Sequence, residues 1–301
     1  MLVDNKEVVV TGRFLKIAKL KSESFEYVDD PPSFVARMKD KKLRADLFTF
    51  LQETPDRNPR FDFHLEWESV AVLPITTYEN WWEKQIRNTT RKKIRKAQKS
   101  GVEVRILEFN DDLVKGIQEI YNESPLRQGL PFAHYGKDFE TLKKDHITFL
   151  ERSDFIGAFY GNELIGFIKL VHGNGISKTM QVLSNMASRD KAPTNALIAK
   201  AVGICAERGI PYLQYGVWSR RGLGDFKKSH AFERFDVPRY FVPLNLRGQL
   251  ALKLGLHRKI SKYLPGGWVD FLVGIRSKWY TFNTARTKLN GTVAQWGERH
   301  S

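Results

Sequence analysis

Apolar and polar side chains alternate or cluster over short segments along most of this chain. The clearest alternation lies at Phe61, Phe63, Leu65 and Trp67, where each apolar residue is followed by an acidic or histidine side chain. A period of two predicts a half-buried strand over residues 61–75. Clusters of β-branched, aromatic and other apolar residues predict further strands at Val8–Val10, Val102–Leu107, Phe155–Tyr160, Leu164–Val171, Thr179–Leu183, Tyr212–Trp218 and Arg239–Leu244.

Helical periodicity predicts helices at five segments: Phe34–Gln52, Trp81–Lys99, Asp112–Asn122, Pro193–Arg208 and Leu223–Ser229. The first follows two Pro residues, with Ser33 as its predicted N-cap. The fourth has Pro near its start and Gly209 after its end, and Cys205 lies on its apolar face. The thiol is therefore expected to pack in the core rather than to react.

The order of elements in the second half of the chain predicts an α/β (α+β) fold with a mixed sheet. Gly161-Asn162-Glu163 separates two predicted strands and indicates a hairpin. The segment Glu123–Lys137 holds two Pro and two Gly, so it cannot form one regular element. Because long loops often display binding groups, this segment is a candidate part of a functional site.

The length of 301 residues and the 42% hydrophobic content allow a large core, in one large domain or in two packed ones. The single cysteine excludes an intramolecular disulfide and a multi-cysteine metal site. The sequence opens without an apolar secretory segment, and its apolar runs fall short of the roughly 20 residues that span a bilayer. A cytoplasmic location without a membrane-spanning segment is therefore expected.

The net charge of +15 is concentrated in two segments. Residues 87–99 contain seven Lys or Arg and no acid, and residues 245–301 contain ten basic and two acidic residues, so the rest of the chain is neutral overall. Such positive potential attracts the phosphates of a small donor, a nucleic-acid backbone or acidic lipid headgroups. A solvated face that aids solubility is the alternative for either segment.

Several kinds of site find no support in the sequence. The seven His include no pair at helical spacing with a nearby carboxylate, so no metal centre is predicted. There is no phosphate-binding P-loop, no Gly-x-Ser-x-Gly elbow and no dinucleotide fingerprint.

Three groups of residues carry a resemblance to a known family. Asn88–Arg105 resembles the junction between the two halves of Fem-type aminoacyltransferases, and Gly161–Lys169 resembles the central hairpin of a GNAT domain. Asp225–Phe232, followed by Val237–Pro243, is similar to the closing helix and strand of Fem-like GNAT proteins associated with cell-surface polysaccharide genes. The resemblance spans residues 80–244 and extends only loosely to the N-terminal part.

The resemblance implies a GNAT-type fold with a mixed central sheet, built as a degenerate tandem pair. On this basis residues 1–98 form an N-terminal half that ends in the basic helix, residues 99–244 an acyltransferase domain, and residues 245–301 a basic amphipathic tail. The implied activity is transfer of an acyl or aminoacyl group from an activated donor to an amine or hydroxyl. The expected acceptor is a cell-envelope sugar or a peptidoglycan-type precursor.

By the same resemblance, the donor's phosphates are held at the start of the helix near Pro193, where a helix N-terminus attracts anions. The residues expected there are Arg189, Lys191, Thr194 and Asn195. The segment Ser188–Pro193 contains no Gly, which a close backbone approach to phosphates needs, so acetyl-CoA is in doubt. Another acyl-CoA, acyl carrier protein or aminoacyl-tRNA is the alternative donor, and no tightly bound cofactor is expected.

Phe226-Lys227 matches the Phe-Lys pair of Fem-type transferases, which places Lys227 beside the reacting carbonyl as an oxyanion stabiliser or proton donor. His134 and Tyr135 are further catalytic candidates because their side chains exchange protons. The predicted substrate-binding residues are Arg127, Gln128, Trp218, Arg220, Phe226, Lys228, Arg239 and Tyr240. Solvated helix residues, loop caps and strand anchors are the structural alternatives for these positions.

Two other functions stay open at this point. A noncatalytic nucleic-acid-binding protein would use the basic residues 87–99 and the tail, and a GNAT-like scaffold without chemistry would bind ligand but not turn it over. The tail also carries apolar residues at Leu250, Leu252, Leu254 and Leu256 and aromatic residues from Trp268 onward. This composition suits either a helix that packs on the main domain or a peripheral contact with an anionic membrane face.

Overall fold

The computed structural model describes residues 1–127, 130–219 and 221–258, with Arg221 described by its backbone only. Within these ranges, eleven strands form one mixed sheet and two short strands form a separate hairpin. The strands are β1 (Leu2–Val3), β2 (Lys6–Thr11), β3 (Ile17–Leu20), β4 (Leu47–Leu51), β5 (His64–Pro74), β6 (Val102–Leu107), β7 (Leu126–Arg127), β8 (Leu130–Pro131), β9 (Ser153–Tyr160), β10 (Glu163–His172), β11 (Ser177–Ser184), β12 (Tyr212–Val217) and β13 (Glu233–Pro243).

The helices lie on both faces of this sheet. They are α1 (Pro31–Asp40), α2 (Tyr78–Asn80), α3 (Asn88–Lys99), α4 (Asp111–Asn122), α5 (Phe139–His146), α6 (Pro193–Glu207), α7 (Arg221–Ser229) and α8 (Leu246–Lys253). Successive side chains of a strand point to opposite faces. In β10, Phe167 accordingly packs with α4 and α5, and Ile168 packs with α3 and α6.

The sheet runs without interruption through the predicted boundary near residue 98. Its order is β1-β2-β3-β4-β13-β5-β12-β11-β10-β9-β6. β13 inserts between β4 and β5, and β5 pairs in turn with β12, so each part of the chain supplies a strand to the other. The division into residues 1–98 and 99–244 remains a prediction.

The helix predicted over Phe34–Gln52 is wrong beyond Asp40, because residues 47–51 form β4. All five residues of β4 are buried, and a continuous apolar run in a buried strand cannot be told from helix by periodicity. The N-cap also differs from the prediction. Asp30 accepts a hydrogen bond from the Ser33 backbone N–H at 3.2 Å, ahead of the two Pro residues in the first turn.

The single helix predicted over Trp81–Lys99 is also wrong, because the chain leaves helical geometry at Ile86. Residues 81–85 form a π-helical turn, and α3 begins only at Asn88. Arg91 explains the break, since its guanidinium donates to the carbonyls of Trp82, Glu83 and Ile86 at 2.8–3.1 Å. These carbonyls are therefore satisfied by a side chain instead of by the next helical turn.

The remaining predicted elements are present, and all but the last strand have only small shifts at their ends. The last strand begins six residues before the predicted Arg239, at Glu233. None of the helices in the described ranges has the length and apolar character that crossing a bilayer requires. The aromatic part of the tail, from Trp268 onward, lies outside the described residues.

Candidate functional site

Two neighbouring parallel strands separate from one another in the middle of the sheet. β11 and β12 pair only at Ser177–Leu213 and Lys178–Gln214, after which the ladder between them ends. On its other side β12 carries a bulge, because Gln214 pairs with Val72 but the next pair is Val217 with Val70. Because the carboxyl ends of parallel strands meet at one edge, this separation opens a gap at the ends of β11 and β12.

The bulge depends on Gly216, whose φ of +56° lies in the left-handed region. It turns the end of β12 so that Val217 is exposed while Tyr215 stays partly buried. A β-bulge at such a place re-aims the residues that follow it. The carbonyl of Val217 is thereby presented to α7.

Lys227 lies at this point with its side chain buried. Its ammonium donates to the Val217 carbonyl at 2.7 Å and to Ser219 Oγ at 3.3 Å, and it sits 4.7 Å from the centroid of the Tyr215 ring. It makes no ion pair with a carboxylate of the described residues. Burial lowers its pKa to about 8, so the side chain can give up a proton near neutral pH.

Close packing fixes α7 against the end of β12. A Cβ at Gly224 would lie 2.1 Å from the carbonyl oxygen of Ser219, so only Gly permits this approach. At the other end of α7, Thr90 Oγ1 donates to the Ser229 carbonyl at 2.8 Å, and Trp81 Nε1 donates to the His230 carbonyl at 3.1 Å. Lys227 is therefore held from both ends of its helix.

The structure brings four predicted site residues together here. Phe226 packs with the ring of Tyr215, and the Lys228 ammonium lies 5.8 Å from the Trp218 ring centroid. Lys228 is exposed, in contrast to Lys227. Gln128 and Arg220 lie outside the described residues.

The loop between β11 and α6 lies on the other side of the gap from α7. The carboxylate of Glu123, at the end of α4, binds the backbone of this loop. Glu123 accepts hydrogen bonds from the backbone N–H groups of Met186 at 2.6 Å and Ala187 at 2.9 Å. Arg127 pairs with Glu123 at 3.1 Å and donates to the Ser184 carbonyl at 2.8 Å. The loop amides are thus already occupied by an anion from the chain itself.

Sequence reasoning missed Glu123, although its position four residues before Arg127 is typical of a helical ion pair. It also placed the donor's phosphates at four residues that the structure finds in different settings. Arg189 is exposed, Lys191 lies 4.8 Å from the Tyr160 ring, Thr194 Oγ1 is 2.9 Å from Ser184 Oγ, and Asn195 is buried. Their role in donor binding remains a prediction.

His134 and Tyr135 lie on the side of the sheet that carries α4 and α5. The His134 ring packs 4.9 Å from that of Tyr121, and burial lowers its pKa. Tyr135 is 47% exposed. None of their described contacts reaches Lys227, and their catalytic role stays a prediction.

Arg239 and Tyr240 are held within the sheet. Arg239 pairs with Glu23 at 2.8 Å and with Glu68 at 2.5 Å. Tyr240 is fully buried, and its hydroxyl donates to Gln52 at 2.8 Å. These contacts account for both residues as strand anchors, and we do not include them in the proposed site.

One cluster has the pairwise distances of a serine-histidine-aspartate triad. The His172 ring is 2.8 Å from Ser177 Oγ and 2.9 Å from Asp154 Oδ2, and Arg208 also pairs with Asp154 at 2.8 Å. Ser177, however, has no exposed surface. Because Asp154 is shared between His172 and Arg208, we describe the cluster as an ion-paired network that joins β9, β10, β11 and the end of α6.

His64, Glu66 and His257 form a group whose possible ligand atoms lie within 4.8 Å of one another, which the sequence did not predict. Glu66 already accepts from His257 Nε2 at 2.9 Å and from Arg258 Nε at 2.7 Å. A guanidinium at this distance repels a metal cation. The group is better described as an ion-paired network that holds the chain after α8 against β5.

The basic surface expected near residues 87–99 is formed by α3. Apart from Arg91, which is used in capping, and Arg87 before the helix, its cations are exposed and make no ion pair in the part of the chain that the structure covers. They are Lys92, Lys93, Arg95, Lys96 and Lys99. The stripe lies close to α7, because Thr90 contacts Ser229.

No family model matches the sequence, and no curated protein matches it. Solved structures, in contrast, match most of the fold. FemX matches with a TM-score of 0.56 and 12% identity over 82% of this chain and 86% of that one. This chain has a Fem-like, GNAT-type fold.

The Fem-like fold extends to two further solved structures. The C-terminal domain of a putative lysylphosphatidylglycerol synthetase from Agrobacterium fabrum has a TM-score of 0.54 and 13% identity, over 82% of this chain and 83% of that one. The L-PGS structure from Bacillus licheniformis has the same TM-score and identity, over 84% and 86%. The fold class expected from the motifs is confirmed, while the donor and acceptor are not decided by a likeness at this identity.

Proposed function

We propose that the protein transfers an acyl or aminoacyl group from an activated donor to an amine or hydroxyl of a cell-envelope precursor. The observation that carries this proposal is the buried Lys227, whose partners are a backbone carbonyl, a hydroxyl and an aromatic ring at the end of two separating strands. Burying an ammonium without a counter-ion costs stability, and such groups cluster at functional sites.

In the proposed reaction, the acceptor's nitrogen or oxygen attacks the donor carbonyl, and negative charge develops on the carbonyl oxygen. The new C–N or C–O bond forms as the bond from the carbonyl carbon to the donor's leaving oxygen or sulfur breaks. The proton lost by the acceptor balances the one gained by the leaving group. Lys227 has three N–H groups, two of which have partners, so the third is available to the carbonyl or leaving oxygen.

Two features favour an aminoacyl ester on RNA over a coenzyme A thioester as donor. The amides of Met186 and Ala187, in the loop before the predicted phosphate position, are bound by Glu123, whose negative charge would also repel a phosphate. The helix α3 contacts the end of α7 through Thr90 and Ser229, and its unpaired cations offer a surface for a phosphate backbone.

The name of one similar structure, a putative lysylphosphatidylglycerol synthetase, describes the formation of a lysine-bearing phospholipid. Together with the Fem-like motifs of the sequence, it supports an envelope lipid, sugar or peptidoglycan-type precursor as the acceptor class. A cytoplasmic protein at the inner membrane face would meet such precursors where they are made.

The test uses the full chain with a labelled acyl or aminoacyl group on tRNA, coenzyme A or acyl carrier protein, and an envelope-precursor extract as acceptor. We expect transfer from aminoacyl-tRNA, reduced at least about a hundredfold in Lys227→Ala. Lys115→Ala is the control, because this lysine of α4 is exposed and lies outside the candidate site, and it should retain activity within about threefold. Turnover that survives Lys227→Ala would contradict the proposed role.

The α3 cations also favour a second candidate function, nucleic-acid binding without chemistry. Binding of uncharged tRNA that weakens steeply with salt, is lost when Lys93 and Lys96 become Gln, and is accompanied by no transfer from any donor would select it.

A further inference from the structure

A second surface, built mainly by α8 and the β2–β3 turn, combines exposed apolar side chains with unpaired cations. Leu246, Leu250 and Leu254 follow one another at intervals of four residues, and 81%, 56% and 61% of their surfaces are exposed. A four-residue interval places side chains on one face of a helix. Phe14 is 79% exposed, and its carbonyl accepts a hydrogen bond from Arg247.

This apolar face is held rigidly outward. On the opposite side of α8, a Cβ at Gly248 would lie 1.9 Å from the Asp46 carbonyl oxygen, and Ala251 is buried. Asn245 caps the helix by accepting from the Gly248 N–H at 2.8 Å, and it also donates to Asp46 at 3.1 Å. The helix is anchored through its other side, and the leucines therefore face solvent.

A cavity of about 380 Å³ lies beside these residues and is lined by four cations: Lys16, Lys39, Arg44 and Arg247. All four are exposed and make no ion pair with a carboxylate of residues 1–258 as far as these are described. Among the described residues, one carboxylate lines the cavity. It belongs to Asp46, which is buried and accepts from the Lys16 backbone N–H at 2.8 Å and from Asn245. The cavity is thus suited to an anionic group.

We propose that this surface, consisting of Phe14, the three leucines of α8 and the four cations of the cavity, docks the protein on an anionic phospholipid membrane. The apolar side chains enter the boundary between headgroups and acyl chains, and the cations contact lipid phosphates. Burial of apolar area and attraction to anionic lipid act together in such interfacial binding. The inference does not depend on the proposed transfer reaction.

The positive charge and the apolar side chains of this surface favour a membrane over the chain's own tail, a second copy of the chain or a nucleic acid. Residues 259–301 carry seven basic and two acidic side chains, so the chain's own tail has the same sign of charge as the surface. A second copy of a chain with net charge +15 is also repelled. A nucleic acid supplies negative charge but offers no apolar layer for Phe14 and the leucines. An anionic bilayer supplies both.

Vesicle co-sedimentation of the full chain tests the proposal. Binding is expected to vesicles of phosphatidylglycerol and phosphatidylcholine, and to be weak with phosphatidylcholine alone. The variant Phe14→Ser with Leu250→Asn should lower the partition coefficient about tenfold or more. Its matched control is Leu2→Asn with Ile106→Asn, which replaces two apolar residues that are 60% and 49% exposed elsewhere on the sheet.

The electrostatic part is tested by Lys16→Gln with Lys39→Gln, which should weaken binding about fivefold for each lysine removed. Lys93→Gln with Lys96→Gln on α3 changes the net charge equally and should leave binding within about twofold. If Phe14→Ser with Leu250→Asn proves destabilised, Leu254→Asn tests the apolar contact in its place. Equal binding by the apolar variants and the native chain, an equal loss in either control, or no preference for phosphatidylglycerol would overturn the proposal.

Discussion

The substitution Gly224→Ala probes the packing that positions Lys227. The added methyl would lie 2.1 Å from the Ser219 carbonyl oxygen, so that oxygen must move by about 1 Å to reach ordinary contact. Overpacking of this kind costs about 1–3 kcal/mol, partly offset by the helix propensity of Ala, worth up to about 1 kcal/mol. Because Ser219 accepts from Lys227, the displaced loop also shifts the ammonium, and we expect transfer to fall about tenfold or more.

Gly222→Ala is the control, because it lies in the same helix and a Cβ there meets no atom within 4 Å. This variant should keep its activity and gain up to about 1 kcal/mol. Thermal unfolding should therefore place the melting temperature of Gly224→Ala below that of Gly222→Ala by a few degrees. If the two variants have equal stability and equal activity, the reasoning about the α7 contact is refuted.

Three further predictions concern stability. Glu123→Gln should cost about 1–2 kcal/mol and speed amide hydrogen exchange at Met186 and Ala187; unchanged exchange there would show that the carboxylate does not hold the loop. Burial lowers the pKa of Lys178 to about 7, so between pH 7 and its ordinary pKa the unfolded chain binds more protons and native stability rises with pH. At acidic pH, Lys178→Met should therefore have a free energy of unfolding that is higher than that of the native chain by on the order of 2–4 kcal/mol. Urea titrations should show this difference shrinking toward pH 10, and a difference that does not change with pH would contradict the prediction. Tyr240→Phe should lose about 1–2 kcal/mol of unfolding free energy with unchanged transfer kinetics, and a selective loss of transfer would return Tyr240 to the site.

Local patterns predicted most of the second half of the fold because its elements follow clean periods. The hairpin β9–β10 and helix α6 agree with the prediction to within two or three residues at each end, since turn residues and a terminal Pro and Gly mark them. The error over Phe34–Gln52 arose where a fully buried strand has no alternation. The insertion of β13 between β4 and β5 could not be predicted, because strand order depends on contacts far apart in sequence.

The candidate site was also predicted only in part from the sequence. Phe226 and Lys227 were predicted from the resemblance to a motif. The structure adds the contact of Lys227 with Val217 and the burial that lowers its pKa to about 8. Glu123 was missed because its partners are backbone amides 63 and 64 residues away. The full burial of Tyr240 could not be predicted, because a position in a motif does not reveal whether a side chain faces the core.

The pH dependence of transfer by the native chain and by Lys227→Ala shows whether the buried ammonium takes part in the reaction. A protonated Lys227 that supports the carbonyl or leaving group should give a rate that is highest below its pKa of about 8 and falls as pH rises through that value. Lys115→Ala should keep this profile, and Lys227→Ala should lose both the rate and the transition. A Lys227→Ala variant with native rate and an unchanged profile would contradict the account.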